Sequence, residues 1–158
     1  MLNNFQKKAL PSLKTNDKLS MYQVLILSSI IEKEVSELKD RKLVAGIFIN
    51  RLEKGMKLQS DATVNFITQS GRAQSTLDDL KIESPYNTYM HTGLPPGPIS
   101  MPSIAAIDAV LNYTKHSYYY FAADADRLGY HKFAKTLTQH NVNARDYQRY
   151  LSSQGIRN

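Results

Sequence analysis

The sequence lacks cysteine and tryptophan altogether, and 5 of its 6 prolines are concentrated in one segment. The absence of cysteine excludes a disulfide framework, a thiolate metal site and a cysteine nucleophile. No run of about 18 apolar residues occurs, so the sequence predicts no membrane-spanning helix. Residues 1–20 have no apolar signal core. A Gly-x-Ser-x-Gly elbow and a glycine-rich phosphate loop are also missing, which excludes two common types of catalytic loop.

Positive charge is in excess, because 20 Lys and Arg residues against 14 Asp and Glu give a formal net charge of +6. A basic balance favours polyanionic partners such as nucleic acid, anionic lipid or an acidic cell-wall polymer. The basic residues are spread along the chain, whereas a nucleic-acid surface usually concentrates them. The 10 tyrosines present flat apolar faces with a hydroxyl, which suit sugar rings and bases alike.

The length of 158 residues predicts one domain. The hydrophobic pattern indicates an α+β fold, mainly helical, with a small antiparallel sheet near the C-terminus. Aromatic residues predict two strands that form a hairpin, at 118–122 and 130–133. A turn is expected at 70–72. Capping signals and apolar stripes predict helices at about 21–38, 40–54, 60–67, 75–81 and 102–111, and a last helix capped by Asn143.

Residues 84–102 contain 5 of the 6 prolines and 2 of the 7 glycines. Such a composition excludes a helix or a central strand. A loop of this length in a small domain is usually either functional or disordered. Because Tyr86, Tyr89, Leu94 and Ile99 can bury apolar surface, we expect an ordered loop.

Glu32 lies near the end of a first helix that is otherwise almost entirely apolar, and an ionisable residue there needs an explanation. A partly buried carboxyl group has a raised pKa and can act as a general acid near neutral pH. In the alternative, Glu32 and Glu34 lie at a solvated helix end and pair with Lys33 or Arg41. The residues alone do not decide which of Glu32 and Glu34 lies deeper in a cleft.

Other polar residues lie at predicted junctions between loops and helices, where side chains can converge: Gln59, Asp61 and Asn87. Asp61 is equally well explained as a helix N-cap. Tyr86 and Tyr89 are explained either by a cleft or by a role in holding the proline-rich loop.

The four histidines do not have the spacing of a helical metal site, so no metal is expected. His131 lies in a predicted strand and His140 just before the predicted last helix. Since no nucleophile motif accompanies them, we expect one or both to make structural hydrogen bonds.

Several segments, in order, resemble the MltG/YceG-like endolytic murein (peptidoglycan) transglycosylases. Together they cover about residues 20–150, and in combination they are highly specific. The matching segments are Ser-Ser-Ile-Ile-Glu-Lys-Glu at 28–34, Ile-Phe-Ile-Asn-Arg-Leu at 47–52, Gly-Met-Lys-Leu-Gln-Ser-Asp-Ala-Thr-Val at 55–64, Tyr-Asn-Thr-Tyr at 86–89, Gly-Leu-Pro-Pro-Gly-Pro-Ile at 93–99, Tyr-Phe-Ala at 120–122 and His-x-Phe at 131–133.

The resemblance implies a catalytic domain with a lysozyme-like acid-bearing helix, in which Glu32 is the single catalytic acid/base. It also implies that the enzyme needs no cofactor. Five further residues are implied to lie in or under the substrate cleft: Gln59, Asp61, Tyr86, Asn87 and Tyr89. Ala62 stands where many relatives have Pro, and Val35 where Thr or Ala is frequent.

The implied reaction cleaves the β-1,4 bond between N-acetylmuramic acid and N-acetylglucosamine without water. Glu32 protonates the leaving oxygen and then deprotonates the muramoyl C6 hydroxyl, which attacks C1 and leaves a 1,6-anhydro end. One alternative is a lysozyme-like hydrolase with Asp61 as second carboxylate. Another is a non-catalytic module that binds glycan or nucleic acid.

The resemblance also bears on domain organisation and location. It divides the chain into a lead-in segment at 1–19 and a catalytic domain at 20–158, without the N-terminal membrane anchor and LysM-like module of relatives. It implies an extracytoplasmic location, with membrane contact only through such an anchor. The expected partners are peptidoglycan glycan strands and the cell-wall synthesis machinery, and no nucleic acid.

Overall fold

The computed structural model describes residues 19–71 and 75–155, and these segments confirm a mainly helical α+β fold. Residues 1–18 of the expected lead-in and Arg72 of the expected turn lie outside the described residues. The elements are α1 (Met21–Glu34), α2 (Leu38–Lys54), α3 (Asp61–Thr68), a 3-10 helix (Asp79–Lys81), α4 (Ile104–Leu111), β1 (Tyr120–Ala123), β2 (His131–Ala134) and α5 (Leu137–Ser153).

Helix α1 is the centre of the core and packs against α2, α3 and α4. Its predicted capping box is confirmed, since Ser20 Oγ accepts from Gln23 N and Gln23 Oε1 accepts from Ser20 N. Its side chains are buried on nearly all sides, as expected of a helix that is apolar all round. In the described part of the chain, no helix is both long enough and apolar enough to cross a membrane.

The prediction that α1 continues to residue 38 is wrong, because the helix ends at Glu34. Val35 is extended, with φ −137° and ψ 117°. Its carbonyl accepts a hydrogen bond from Arg41 Nε at 2.8 Å, so this extended conformation has a partner in the next helix. The break lets α2 begin at Leu38, capped by Glu37.

The expected cap of α2, Asp40, instead lies in the first turn of that helix. Its carboxylate is buried and accepts from His131 Nδ1 at 3.0 Å, which joins α2 to the hairpin. The structural hydrogen bond expected of a histidine is thus confirmed for His131. Gly55 ends α2 with φ +74°, as its position predicts.

The predicted hairpin is confirmed, with β1 and β2 antiparallel and Phe121 opposite Phe133. Phe121 meets Phe48 of α2 edge-on, with ring centroids 5.9 Å apart. Helix α5 packs on both strands. It begins at Leu137, earlier than the predicted cap at Asn143, because Thr136 caps it. His140 therefore lies inside α5.

The proline-rich segment at 84–102 is an ordered loop, as expected. Ile99 N donates to Ser29 Oγ at 3.0 Å, and Ser100 Oγ donates to the Ser29 carbonyl at 3.0 Å. Tyr22 holds another part of the loop, since its hydroxyl donates to the Pro96 carbonyl at 2.9 Å. The loop is therefore fixed along α1 and leads directly into α4.

A Cβ atom at Gly46 of α2 would lie 2.7 Å from His116 Nε2 and still closer to the Thr114 carbonyl. We expect Gly46→Ala to lower the free energy of unfolding by about 1–3 kcal/mol, because overpacking outweighs the helix propensity of alanine. Urea unfolding followed by circular dichroism measures this change in unfolding free energy, and Lys42→Ala at an exposed position of α2 is the control. Unchanged stability in Gly46→Ala would show that the 113–116 segment is not held against α2.

Candidate active site

Two cavities meet at Glu34 and Asp61, between the end of α1 and the start of α3. The first, called the α3 cavity, has a volume of about 560 Å³. The second, called the hairpin cavity, has a volume of about 470 Å³ and extends toward β1 and α5. Both volumes are typical of small-molecule sites. Glu34 and Asp61 line both cavities, so a ligand in either one lies close to both residues.

The carboxyl group of Glu34 is held by one oxygen only. Its Oε1 accepts from the Ser60 hydroxyl and from Ala62 N, the latter at 3.3 Å. Its Oε2 makes no hydrogen bond with any residue of 19–71 or 75–155. Ser60 precedes α3, and the predicted capping side chain therefore serves Glu34 instead of its own helix. One oxygen is fixed and the other is available to a ligand.

Burial raises the pKa of Glu34 above its ordinary value. Hydrogen bonds from Ser60 and Ala62 act in the opposite direction but are outweighed, and the negative charge of Asp61 raises the pKa further. Desolvation and a like charge are the two causes by which enzymes keep a carboxyl group protonated near neutral pH. Glu34 thus has the properties of a general acid.

Glu32 has the opposite properties. Its Oε2 accepts from Arg41 Nη2 at 2.8 Å, its Oε1 accepts from Ser103 N at 2.8 Å, and it lines neither cavity. Burial alone would raise the pKa of Glu32, but the hydrogen bonds from Ser103 and the charges of Arg41 and Lys33 hold it below the ordinary value. The expectation of a raised pKa at Glu32 is therefore wrong, and the alternative of an ion pair with Arg41 is confirmed.

Three of the predicted substrate residues line the hairpin cavity: Gln59, Asp61 and Tyr89. The Tyr89 hydroxyl donates to Asp61 Oδ1 at 2.8 Å. Burial and the neighbouring Asp61 carboxylate raise the pKa of Tyr89, so this hydroxyl stays a donor. Gln59 has φ +52°, a left-handed conformation that is uncommon outside glycine and often found at functional sites.

The two other predicted substrate residues, Asn87 and Tyr86, line neither cavity. Asn87 is 0% exposed and donates to the carbonyls of Leu80 and Ile82. Its Oδ1 accepts from Tyr89 N at 2.9 Å, so Asn87 positions Tyr89 from below the cleft. Tyr86 packs against Phe66 with ring centroids 4.9 Å apart. Phe66 lines the α3 cavity, so Tyr86 supports its wall.

The hairpin cavity also contains residues that the sequence did not indicate as site residues: Arg51, Tyr120 and His140. The Arg51 guanidinium lies 5.0 Å from the centre of the Tyr120 ring, and His140 stacks on the same ring at 5.1 Å. Arg51 comes from α2, Tyr120 from β1 and His140 from α5. Arg51 and Tyr120 lie in segments that carry the family resemblance, but only the folded chain shows that they meet His140 in one cluster.

Within the described ranges, His, Asp and Glu side chains form no group of three that could hold a metal ion. What the cleft offers is acid–base chemistry at Glu34, beside a second carboxylate held by Tyr89.

The sequence model of the YceG-like family matches residues 1–146. The chain belongs to this family. Two relatives named endolytic murein transglycosylase come from Bacillus subtilis and Streptococcus pneumoniae serotype 2. The first is 38% identical over 151 residues, with 96% of this chain and 40% of the relative covered. The second is 34% identical over 154 residues, with 93% of this chain and 28% of the relative covered.

A crystal structure of a YceG-like protein from Listeria monocytogenes shares the fold. Its TM-score is 0.76 at 40% identity, over 89% of this chain and 44% of that one. The chain therefore spans less than half the length of these YceG-like relatives. The family membership predicted from the sequence is confirmed.

Replacing Glu32 by Gln should destabilise the fold at neutral pH by about 1.5–3 kcal/mol, because Arg41 loses a charged partner. The folded-state pKa of Glu32 is lowered. The stabilisation is therefore complete above the unfolded-state pKa and is lost as pH falls through the folded-state pKa. Urea unfolding measured across this acid range should show that the difference in unfolding free energy between the wild type and the variant becomes smaller as pH falls.

The matched control for that series is Glu83→Gln. Glu83 pairs with His91 at the exposed surface, with side-chain exposures of 70% and 46%, and its loss should change stability little. Equal stability of Glu32→Gln and the wild type at neutral pH would contradict the structural role of Glu32.

Proposed function

We propose that this chain is the catalytic domain of a peptidoglycan lytic transglycosylase, with Glu34 as its single general acid/base. The observation that carries the proposal is the half-buried Glu34 carboxyl group, which has one fixed and one available oxygen between two cavities. Both relatives are named endolytic murein transglycosylase, which supports peptidoglycan as the substrate. The proposal moves the acid from Glu32, the first Glu of the Glu-Lys-Glu segment, to the second.

The proposed reaction begins with a glycan strand that occupies both cavities, so that a glycosidic oxygen lies beside Glu34 Oε2. Protonated Glu34 donates its proton to this oxygen while the bond to C1 of N-acetylmuramic acid breaks. The resulting carboxylate then takes the proton from the C6 hydroxyl of the same sugar, and the C6 oxygen bonds to C1. The products are a 1,6-anhydro end and a free 4-hydroxyl, and Glu34 is protonated again.

Asp61 has a supporting role in this proposal. Its Oδ1 accepts the Tyr89 hydroxyl, and a carboxylate beside C1 would stabilise the positive charge that develops there. The same negative charge raises the pKa of Glu34, which favours the protonated acid at the start of the cycle. Because the sugar supplies the nucleophile, Asp61 need not attack or activate water.

The second candidate function is a muramidase that hydrolyses the same bond. Asp61 lines both cavities together with Glu34, as the second carboxylate of a glycoside hydrolase would. Under that alternative, Asp61 would activate water or form a glycosyl intermediate, and its replacement by Asn would be as damaging as that of Glu34.

We further propose that the reaction takes place outside the cytoplasmic membrane, where peptidoglycan lies, and in contact with the cell-wall synthesis machinery. Protease digestion of intact spheroplasts that carry the full-length protein tests the location, since a domain on the cytoplasmic side would survive. Cross-linking in growing cells tests the contact, and the absence of wall-synthesis proteins among the products would contradict it.

Glu34→Gln should reduce peptidoglycan cleavage by at least about a hundredfold, since a general acid/base contributes that much. The fold should persist, because Gln Oε1 can accept the same hydrogen bonds from Ser60 and Ala62. A raised folded-state pKa means that ionisation of Glu34 destabilises the fold as pH rises. We therefore expect Glu34→Gln to be at least as stable as the wild type at neutral pH.

Glu32→Gln is the matched control, two residues away and of the same chemistry. It should retain cleavage per folded molecule while losing stability, the reverse of Glu34→Gln. Muropeptide release from purified peptidoglycan, measured well below the unfolding temperature of both variants, gives the comparison. Full cleavage by Glu34→Gln and none by folded Glu32→Gln would return the acid to Glu32.

Product mass distinguishes the two candidate reactions. Anhydromuramoyl products indicate transglycosylation, whereas reducing-end products one water heavier indicate hydrolysis and make Asp61 the next residue to replace.

Cleavage should also fall as pH rises through the raised pKa of Glu34, because the deprotonated carboxylate cannot protonate the leaving oxygen. A rate that rises over that range instead would contradict an acid role for Glu34.

A further inference from the structure

The hairpin cavity contains a buried positive charge that forms no ion pair with the described residues. Arg51 is 7% exposed, and its Nε and Nη1 donate to the carbonyls of Tyr119 and Lys57 at 2.7 and 2.8 Å. Over residues 19–71 and 75–155 it forms no ion pair, and its Nη2 makes no hydrogen bond. Neutral carbonyls satisfy part of the guanidinium, but a buried charge is normally paired with an opposite one.

Neither of the two acids of this cavity forms an ion pair with the guanidinium, since both are held by other described residues. Glu34 is held by Ser60 and Ala62, and its raised pKa favours the neutral form. Asp61 is held by the Tyr89 hydroxyl. The charge on Arg51 is therefore available to an anionic group that enters the cavity.

A second group without a partner lines the same cavity. His140 Nδ1 is buried and has no hydrogen-bond partner among the described residues. The His140 ring stacks on Tyr120 at an interplanar angle of 24°, and Tyr120 also contacts the Arg51 guanidinium. Burial and the charge of Arg51 lower the pKa of His140, so the ring is neutral near neutral pH. A buried polar atom without a partner is destabilising, and a ligand or water that pairs with it relieves the cost.

We propose that the hairpin cavity binds a carboxylate of the muramoyl unit through Arg51 Nη2 and His140 Nδ1. The inference rests on the proposed function and identifies the part of the substrate that this side of the cleft recognises. The carboxylate is either that of the lactyl group on N-acetylmuramic acid or one on the attached peptide. Since N-acetylglucosamine carries no carboxylate, the site distinguishes the two sugars and places the muramoyl unit on the hairpin side of Glu34.

Three small probes separate the possible sources of the carboxylate. N-acetylglucosamine lacks the lactyl group, N-acetylmuramic acid carries it with a free carboxylate, and the muramoyl dipeptide has the lactyl group amidated and a carboxylate on the peptide. Their binding to the isotope-labelled chain is followed by NMR at the His140 ring and at the Arg51 side chain. None of the three is cleaved, so the measurement does not depend on activity.

We expect at least one carboxylate-bearing probe to shift the His140 and Arg51 signals and to bind about tenfold more tightly than N-acetylglucosamine, as a hydrogen bond to a charged group implies. The preferred probe identifies the source. Salt should reduce this preference, because part of it is electrostatic. Equal binding of all three probes would overturn the inference. So would binding that shifts other NMR signals but not those of His140 and Arg51.

Two variants test the contacts without removing the packing. His140→Phe keeps a ring on Tyr120 and removes the nitrogen, and Arg51→Lys keeps the charge but loses the planar fork. Each should reduce the preference for the carboxylate probe, whereas His91→Phe, at an exposed histidine, should not. If folded His140→Phe keeps the full preference for the carboxylate probe, His140 is not part of the site. If both variants keep it, the proposal is overturned.

The failure of this inference differs from a failure of the proposed function. A chain that cleaves peptidoglycan through Glu34 but shows no carboxylate preference overturns the inference alone. A chain that prefers the carboxylate probe yet gives no cleavage products overturns the proposed reaction and leaves the binding site in place.

Discussion

The ion pair between Glu32 and Arg41 is the interaction on which the rest of the site depends. It joins the end of α1 to the start of α2, and the second oxygen of Glu32 receives the first N–H group of the turn that opens α4. Arg41 also holds the extended Val35 carbonyl through its Nε. One carboxylate and one guanidinium thus fix three helices around the point where the chain leaves α1. The neighbouring Glu34 is held separately, by Ser60 and Ala62.

Two glutamates that are two residues apart on a helix do not face the same way, because successive residues turn by about 100°. Glu32 therefore faces α2 and α4 while Glu34 faces α3 and the cleft. The difference in pKa direction follows from the surroundings of the two side chains. Glu32 has a partner on each oxygen, one of them charged, and ionises easily. Glu34 has partners on one oxygen only, is more deeply desolvated, and lies near another carboxylate.

The sequence predicted most of the fold because its signals are local. The capping box at Ser20, the glycine at Gly55 and the aromatic hairpin each depend on a few adjacent residues, and the structure has all of them. The start of α5 and the role of Asp40 were missed because partners elsewhere in the chain decide them. The same limit applies to the site. Helical periodicity places both glutamates near the cleft, but only Arg41 and Ser60, contributed by other segments, separate their chemistry.

The extended conformation of Val35 has one further consequence. By ending α1 directly after Glu34, it places that carboxyl group at the negative end of the helix macrodipole, where the unpaired carbonyls of the last turn disfavour a second negative charge. A helix that continued for another turn would carry this partial charge away from the cleft. The length of α1 therefore contributes to the proton affinity of its last residue, and a backbone feature with no side chain in the cleft favours the protonated form of Glu34.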